Sequence, residues 1–334
     1  MSLVAFVVNR TLLRDPRRFS QRCRAAAEDH GWESWFAPDP VAVTSVTADS
    51  PALTRQAVEA GADLVVAAGG DGTVRACAEA LAGTGIPLAI VALGTANLVA
   101  RALGVPARAD RALEVAFGGR DKLIDLGRVT GVDGSGRGPE GGAGLRAGAG
   151  AEGGAGIVFT AMAGIGLDAA VVGAAWPWVK RRAGWMAYGM AAVPRLGWPA
   201  SDFTVQVDGA APLRRRARCV VVANVGLLPG GFTLLPAARL DDGLLDVGIL
   251  APAGGWGWLR LGGQVLGRRV PGGRVPGGPG LDGRGGGLEA GRGRRVLVSA
   301  DRVLPRQADG EILVPGRVLG ASVTAGALVL RLAR

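Results

Sequence analysis

Asp63-Leu-Val-Val-Ala-Ala-Gly-Gly-Asp-Gly-Thr73 joins an apolar, strand-like run to a glycine-rich turn, and the helix-like stretch Val74 to Ala82 follows directly. A strand delivers the chain and a helix carries it away. Glycines can adopt positive φ and bring backbone N–H groups close to an anion, and the helix N-terminus adds unpaired donors and a dipole. Gly69, Gly70, Gly72 and Thr73 are therefore read as a phosphate-binding loop. Asp71 cannot itself welcome a phosphate. A carboxylate in such a loop makes sense if it holds Mg²⁺ or fixes the loop through hydrogen bonds, which points to a metal-bound nucleotide rather than a bare anion.

A second turn of the same kind strengthens a signal that is weak alone. The run Pro87 to Leu93 ends in Gly94-Thr-Ala-Asn97 before the helical segment Leu98 to Leu103, so Gly94, Thr95 and Asn97 complete the nucleotide side. Up to about Val129, strand-like runs (Leu3 to Val8, Leu64 to Ala68, Leu88 to Val91) alternate with helical ones (Phe19 to Gly31, Arg108 to Phe117). That alternation argues for an open parallel α/β sheet, with ligands at the carboxyl ends of its strands. Beyond it, Ile157 to Met162, Phe203 to Val207, Arg218 to Ala223, Leu244 to Leu250, Arg295 to Ser299, Glu311 to Val314 and Ser322 to Leu332 are β-rich runs between Gly/Pro turns. They suggest an antiparallel domain interrupted by helical inserts near Trp178 to Leu196 and Gly254 to Leu266. The expected division is 1–129 and 130–334, with glycine-rich stretches 131–156 and 262–293 read as flexible insertions.

The composition fits a globular chain of 334 residues, 49% hydrophobic and 20% charged. Its net charge of +10 comes almost wholly from arginine, since Lys122 and Lys180 are the only lysines. A basic surface suits anionic headgroups or nucleotides, whereas no nucleic-acid module or stripe of stacking aromatics is present, so no nucleic-acid partner is expected. Cys23, Cys77 and Cys219 are odd in number and form no CxxC pair, which argues against a disulfide framework or zinc site. The single His30 has no motif around it. Met1 to Val8 lacks a basic leader and reads as a first strand, and the apolar stretch Gly156 to Trp176 is interrupted by Asp168. These features lead us to expect a cytoplasmic protein without a membrane span.

The order of the motifs resembles the diacylglycerol kinase catalytic-domain family, the lipid kinases that include sphingosine kinases and bacterial phospholipid kinases. Beyond the two loops, the resemblance rests on Ile124-Asp-Leu-Gly127, Ala163-Gly-Ile-Gly-Leu-Asp168 and Lys180-Arg-Arg-Ala-Gly-Trp-Met-Ala-Tyr188. It continues through Gly230-Gly-Phe232, Pro236-Ala237, Leu240-Asp-Asp-Gly-Leu-Leu-Asp246 and Asp309-Gly-Glu311. It implies a nucleotide-binding α/β domain, a β-sandwich lipid-binding domain and an active site in the cleft between them. It also implies transfer of the γ-phosphate of ATP, with Mg²⁺, to a hydroxyl of a diacylglycerol-like membrane lipid. Asp309 takes the role of base by this resemblance, with Glu311 and Asp125 in the metal and water network. Asn9 matches the family's first loop, although Asn9-Arg-Thr-Leu12 departs from the usual Asn-Pro-x-Ser/Ala-Gly. Leu98 stands where the family often has aspartate. Asp242, with carbonyls of Arg239 and Leu244, matches a structural cation site for Mg²⁺ or Ca²⁺.

Six of the eight tryptophans (Trp176, Trp178, Trp185, Trp198, Trp256 and Trp258) fall in the helical inserts, beside Lys180-Arg-Arg182 and Arg260. Aromatic and basic residues together suit peripheral docking at the inner face of the membrane. A homodimer is left open. The rival readings are an NAD kinase relative, which would share the Gly-Gly-Asp-Gly-Thr loop but needs an Asn-Glu motif not found here, and a non-catalytic nucleotide- or lipid-binding protein.

Overall fold

A computed structural model describes residues 2–36, 50–130, 156–174, 193–267, 280–282 and 287–334. The chain divides into two compact units, one of 1–124 with 326–334 and the other of 125–325. The division falls earlier than the expected 129, and the C-terminal residues return to the first unit. The reason is strand pairing: Leu330 pairs in parallel with Leu88.

In the first unit β1 (Ser2–Val8) lies between β2 (Trp32–Phe36) and β3 (Leu64–Gly69), and β4 (Leu88–Ala92) follows β3, every pair parallel. β3 is buried along its whole length, as a central strand covered on both faces must be. Helices α1 (Pro16–Asp29), α2 (Ser50–Glu59), α3 (Asp71–Leu81), α4 (Leu98–Ala102) and α5 (Ala109–Gly118) complete the alternation. Asp15 caps α1 by accepting from the Arg18 N–H at 2.9 Å, and Pro16 occupies the first turn, where its missing donor costs nothing. Phe19, Cys23 and Ala27 recur at helical spacing and pack with Val4, Phe6, Leu64 and Val66.

In the second unit β5 (Arg120–Thr130, within the unit from Asp125) pairs antiparallel with β6 (Ile157–Phe159). β7 (Met162–Gly166), β8 (Ser201–Val207), β9 (Leu213–Ala217), β10 (Cys219–Ala223) and β13 (Leu245–Leu250) follow, with the short hairpin β11 (Leu227–Leu228) and β12 (Phe232–Thr233) between the last two. Then come β14 (Gly280–Asp282), β15 (Leu288–Gly293), β16 (Arg295–Ala308) and β17 (Glu311–Leu332, within this unit to Ala325). β10 pairs antiparallel with β7 and β13, β13 with β15, and β16 with β7, β8 and β17. Phe159, Phe203, Val220, Leu245, Ile249, Val298 and Leu319 form its core. The architecture is thus a parallel α/β unit and an antiparallel β-sandwich unit.

Two expectations change. The stretch 262–293, read as a flexible insertion, contains the end of helix α7 (Gly254–Gly267, after α6 at Leu167–Ala174), β14 and β15. The sequence Leu-Glu-Ala-Gly-Arg-Gly has little β propensity, but β13 offers it a full edge, with Leu245 opposite Gly293 and Leu250 opposite Leu288. The run Ile157 to Met162 is two strands broken at Thr160-Ala161. The insertion 131–155, Trp176, Trp178, Trp185 and the Lys180-to-Tyr188 motif lie outside the described residues.

Candidate active site

The two glycine loops of the first unit touch at their glycines. Gly70 is the N-cap of α3 with φ −98°, and Gly69, Gly72 and Gly94 likewise have no positive φ. Positive φ is therefore not what the loops need, contrary to expectation. They need close approach: a Cβ on Gly94 would lie 2.5 Å from the Gly70 Cα and 2.8 Å from Asn97 Oδ1, and a Cβ on Gly69 would overlap the Thr73 side chain. The left-handed position falls on Asn97 (φ 48°), whose Nδ2 donates to the Gly94 carbonyl at 2.7 Å. Asparagine tolerates this conformation better than most residues.

Asp71 opens α3 and its Oδ1 accepts the Leu98 N–H, the first of α4, at 2.6 Å. One carboxylate thus sits on the positive ends of both helices. This bond supplies loop fixing, one of the two roles expected for Asp71. Thr73 Oγ1 is buried with no hydrogen-bond partner. Thr95 is exposed at the second loop. Asn9, at the end of β1, donates its N–H to Ala68 O, and its Oδ1 accepts from Thr11 N and Oγ1 at 3.1 and 2.8 Å, closing a single 3₁₀ turn in place of the family's first loop.

In the second unit Asp309 is held in the left-handed region (φ 47°) in the tight Asp-Gly turn joining β16 to β17. Its Oδ2 accepts from Thr160 N and Oγ1 at 2.6 and 2.8 Å, and its Oδ1 accepts from Ala161 N and Met162 N at 2.8 and 2.9 Å. Burial raises its pKa while these four donors pull it down. Gln307, buried at 1% exposure, accepts the Gly310 N–H on Oε1 at 2.8 Å and donates Nε2 to Asp168 Oδ2 at 2.7 Å. Burial likewise raises the Asp168 pKa. The turn is held on both sides, and the exposed Glu311 follows it.

Asp125 Oδ2 accepts from Gly243 N at 2.6 Å, and its own N–H donates to Leu240 O. The carboxamide of Asn224, fully buried, spans Asp125 O and Thr160 O at 2.8 and 3.3 Å. Asn224 and Gln307 carry no sequence motif and were missed. Asp242 has both oxygens engaged: Oδ1 accepts from Leu244 N at 3.1 Å and Oδ2 from Arg292 Nη2. The Arg239 side chain pairs with Asp241 at 3.1 Å. The side chain expected to bind a structural cation is therefore already bound to a guanidinium, and the set does not fit a metal. The three cysteines are buried, with the thiols of Cys23 and Cys77 pushed up to about 12, which suits packing rather than nucleophilic chemistry.

The first unit thus carries paired glycine loops on a parallel sheet, and the second a locked Asp-Gly-Glu turn on a β-sandwich. Residues 24–129 match the family described as Diacylglycerol kinase catalytic domain, and 161–270 match the YegS C-terminal NAD kinase beta sandwich-like domain. The chain is 31% identical over 252 residues to a "Probable lipid kinase YegS-like" of Pseudomonas syringae, covering 75% of this chain and 73% of that protein. A Pseudomonas aeruginosa protein of the same name is 34% identical over 220 residues, 63% of this chain and 62% of its own length. A solved diacylglycerol kinase of Bacillus anthracis has the same fold, with a TM-score of 0.65, 17% identity and coverage of 99% and 96% of the two chains. The chain belongs to the diacylglycerol kinase catalytic-domain family of lipid kinases.

Proposed function

We propose that the protein transfers the γ-phosphate of ATP to a hydroxyl of a membrane glycerolipid. The observation that carries this reading is the joining of the two glycine loops by Asp71 and the Leu98 N–H, which presets a surface of backbone donors before any ligand arrives. Phosphates lie against the backbone donors of these loops. Mg²⁺, when bound with ATP, would supply neutralisation of phosphate charge. The acceptor oxygen forms a bond to the γ-phosphorus as the β–γ bridging bond breaks, ADP leaves, and the hydroxyl proton passes to a carboxylate.

Glu311 is the better placed proton acceptor. Each oxygen of Asp309 already accepts from two donors, whereas Glu311 is exposed at the start of β17. Asp309 then holds the turn that aims it. The substrate is met at a lipid surface: Trp256 and Leu259 on α7 are 85% and 68% exposed, beside the exposed Arg260. On this reading the protein docks transiently at the inner face of the membrane. Among the described residues no helix is long and apolar enough to cross a membrane.

The test is to incubate the protein with labelled ATP, Mg²⁺, NAD and vesicles of total lipid extract and to identify the labelled product. A phosphorylated glycerolipid is expected. ATP binding without any labelled lipid would favour a non-catalytic binder, and label on NAD would favour the NAD kinase relative.

A further inference from the structure

Arg292 on β15 lies directly opposite Asp246 on β13. Its Nε is 3.2 Å from Asp246 Oδ1, and its Nη2 donates to the Ala237 carbonyl at 3.2 Å and to Asp242 Oδ2. The side chains are largely sequestered, at 19% exposure for Arg292, 20% for Asp242 and 4% for Asp246. Two carboxylates and a carbonyl converging on one point are the ligand chemistry of a hard divalent cation. Here the centre of that arrangement is a guanidinium, which is protonated at every accessible pH and presents planar donors to the same oxygens.

The loop so held reaches the candidate site. Leu240 O accepts the Asp125 N–H, and Gly243 N donates to Asp125 Oδ2. Whatever fixes the segment 239–244 therefore fixes Asp125.

We propose that Arg292 is a built-in counter-ion for Asp242, the side chain that the family resemblance assigns to a bound structural cation, so that the Asp242 loop folds without metal. This inference is independent of the kinase reading, because it concerns the stability of the second unit and not turnover. It confines any divalent-ion requirement of the protein to the nucleotide.

Thermal unfolding without nucleotide tests it. Wild-type protein stripped with EDTA should melt at the same temperature as protein in saturating MgCl2 or CaCl2. Arg292→Ala leaves two carboxylates facing each other without a cation, so in EDTA it should melt about 5–10 °C lower, and either ion should restore part of the loss. Arg292→Lys keeps one positive charge and should be intermediate and insensitive to both ions. A wild-type melting temperature that falls with EDTA and recovers with Mg²⁺ or Ca²⁺ would overturn the proposal, as would an Arg292→Ala protein as stable as wild type. If Arg292→Ala does not fold at all, the wild-type and lysine comparisons still decide, since metal-dependent melting of either sinks the idea.

Discussion

The Asp71 carboxylate accepts the Leu98 N–H at 2.6 Å, across 27 residues of sequence, and so ties the start of one loop helix to the start of the other. Leu98 has no acidic side chain, yet its backbone keeps the second loop in place. Asp71→Ala should lose at least about 100-fold in ATP-dependent activity and about 1–3 kcal/mol in stability, while Asp71→Asn, still able to accept from Leu98, should lose much less stability. Urea unfolding beside activity at saturating ATP separates the two effects. Full activity in Asp71→Ala would refute the loop's role.

Gly94→Ala places a methyl 2.5 Å from the Gly70 Cα. Backbone cannot yield as a flexible side chain can, so the loops must part. We expect a loss of about 1–3 kcal/mol and weaker ATP binding by titration calorimetry. Gly118→Ala, where the new methyl meets nothing within 4 Å, is the control and should bind ATP as wild type.

Asp309→Asn and Glu311→Gln should fail differently. An amide has one acceptor oxygen, so asparagine at 309 leaves two of the four donors from Thr160 to Met162 facing an NH2 group. The expected cost is on the order of 3 kcal/mol of stability. Glutamine at the exposed position 311 should lower the melting temperature less than Asp309→Asn but lower kcat by about 10²- to 10⁴-fold, with the KM for ATP little altered. The opposite pattern, in which Asp309→Asn is stable but inactive and Glu311→Gln is active, would return the proton-accepting role to Asp309.

Asp168 gives a pH dependence of definite sign. Its carboxyl has a folded-state pKa raised from 3.8 by burial, so above that value the native state retains a proton the unfolded chain has released. Stability then falls as pH rises through the window between the unfolded and folded values and levels off above it. Asp168→Asn can still accept from Gln307 and removes this term. Denaturant titrations between about pH 4 and pH 8 should show a flatter profile in the variant, with a residual slope from Asp309, whose shift has the same direction. A profile as steep as wild type would mean that Asp168 does not titrate there.

What was legible from sequence was local. The glycine loops could be seen because strand, turn and helix N-terminus are contiguous between Asp63 and Ala82 and again between Pro87 and Leu103. The Asp-Gly-Glu turn was equally visible. The partners of these residues were not, because they come from far along the chain: the donors to Asp309 lie 147 to 149 residues away, at a break inside what reads as one strand. Arg292 was hidden for another reason. It stands in glycine-rich sequence with little strand character, and only its pairing opposite Asp246 gives it a place.

The strand end from Gly326 is made by the ribosome after the whole of the second unit, yet it closes the first. Leu328 and Leu330 are buried there, and Leu330 lies against Leu88 on what would otherwise be an open sheet edge. The nascent first unit must therefore wait with the outer edge of β4 open while some two hundred further residues are synthesised. A gene cut between the units would release a fragment with a sticky edge, and co-expression of a piece carrying 326–334 would be the way to heal it.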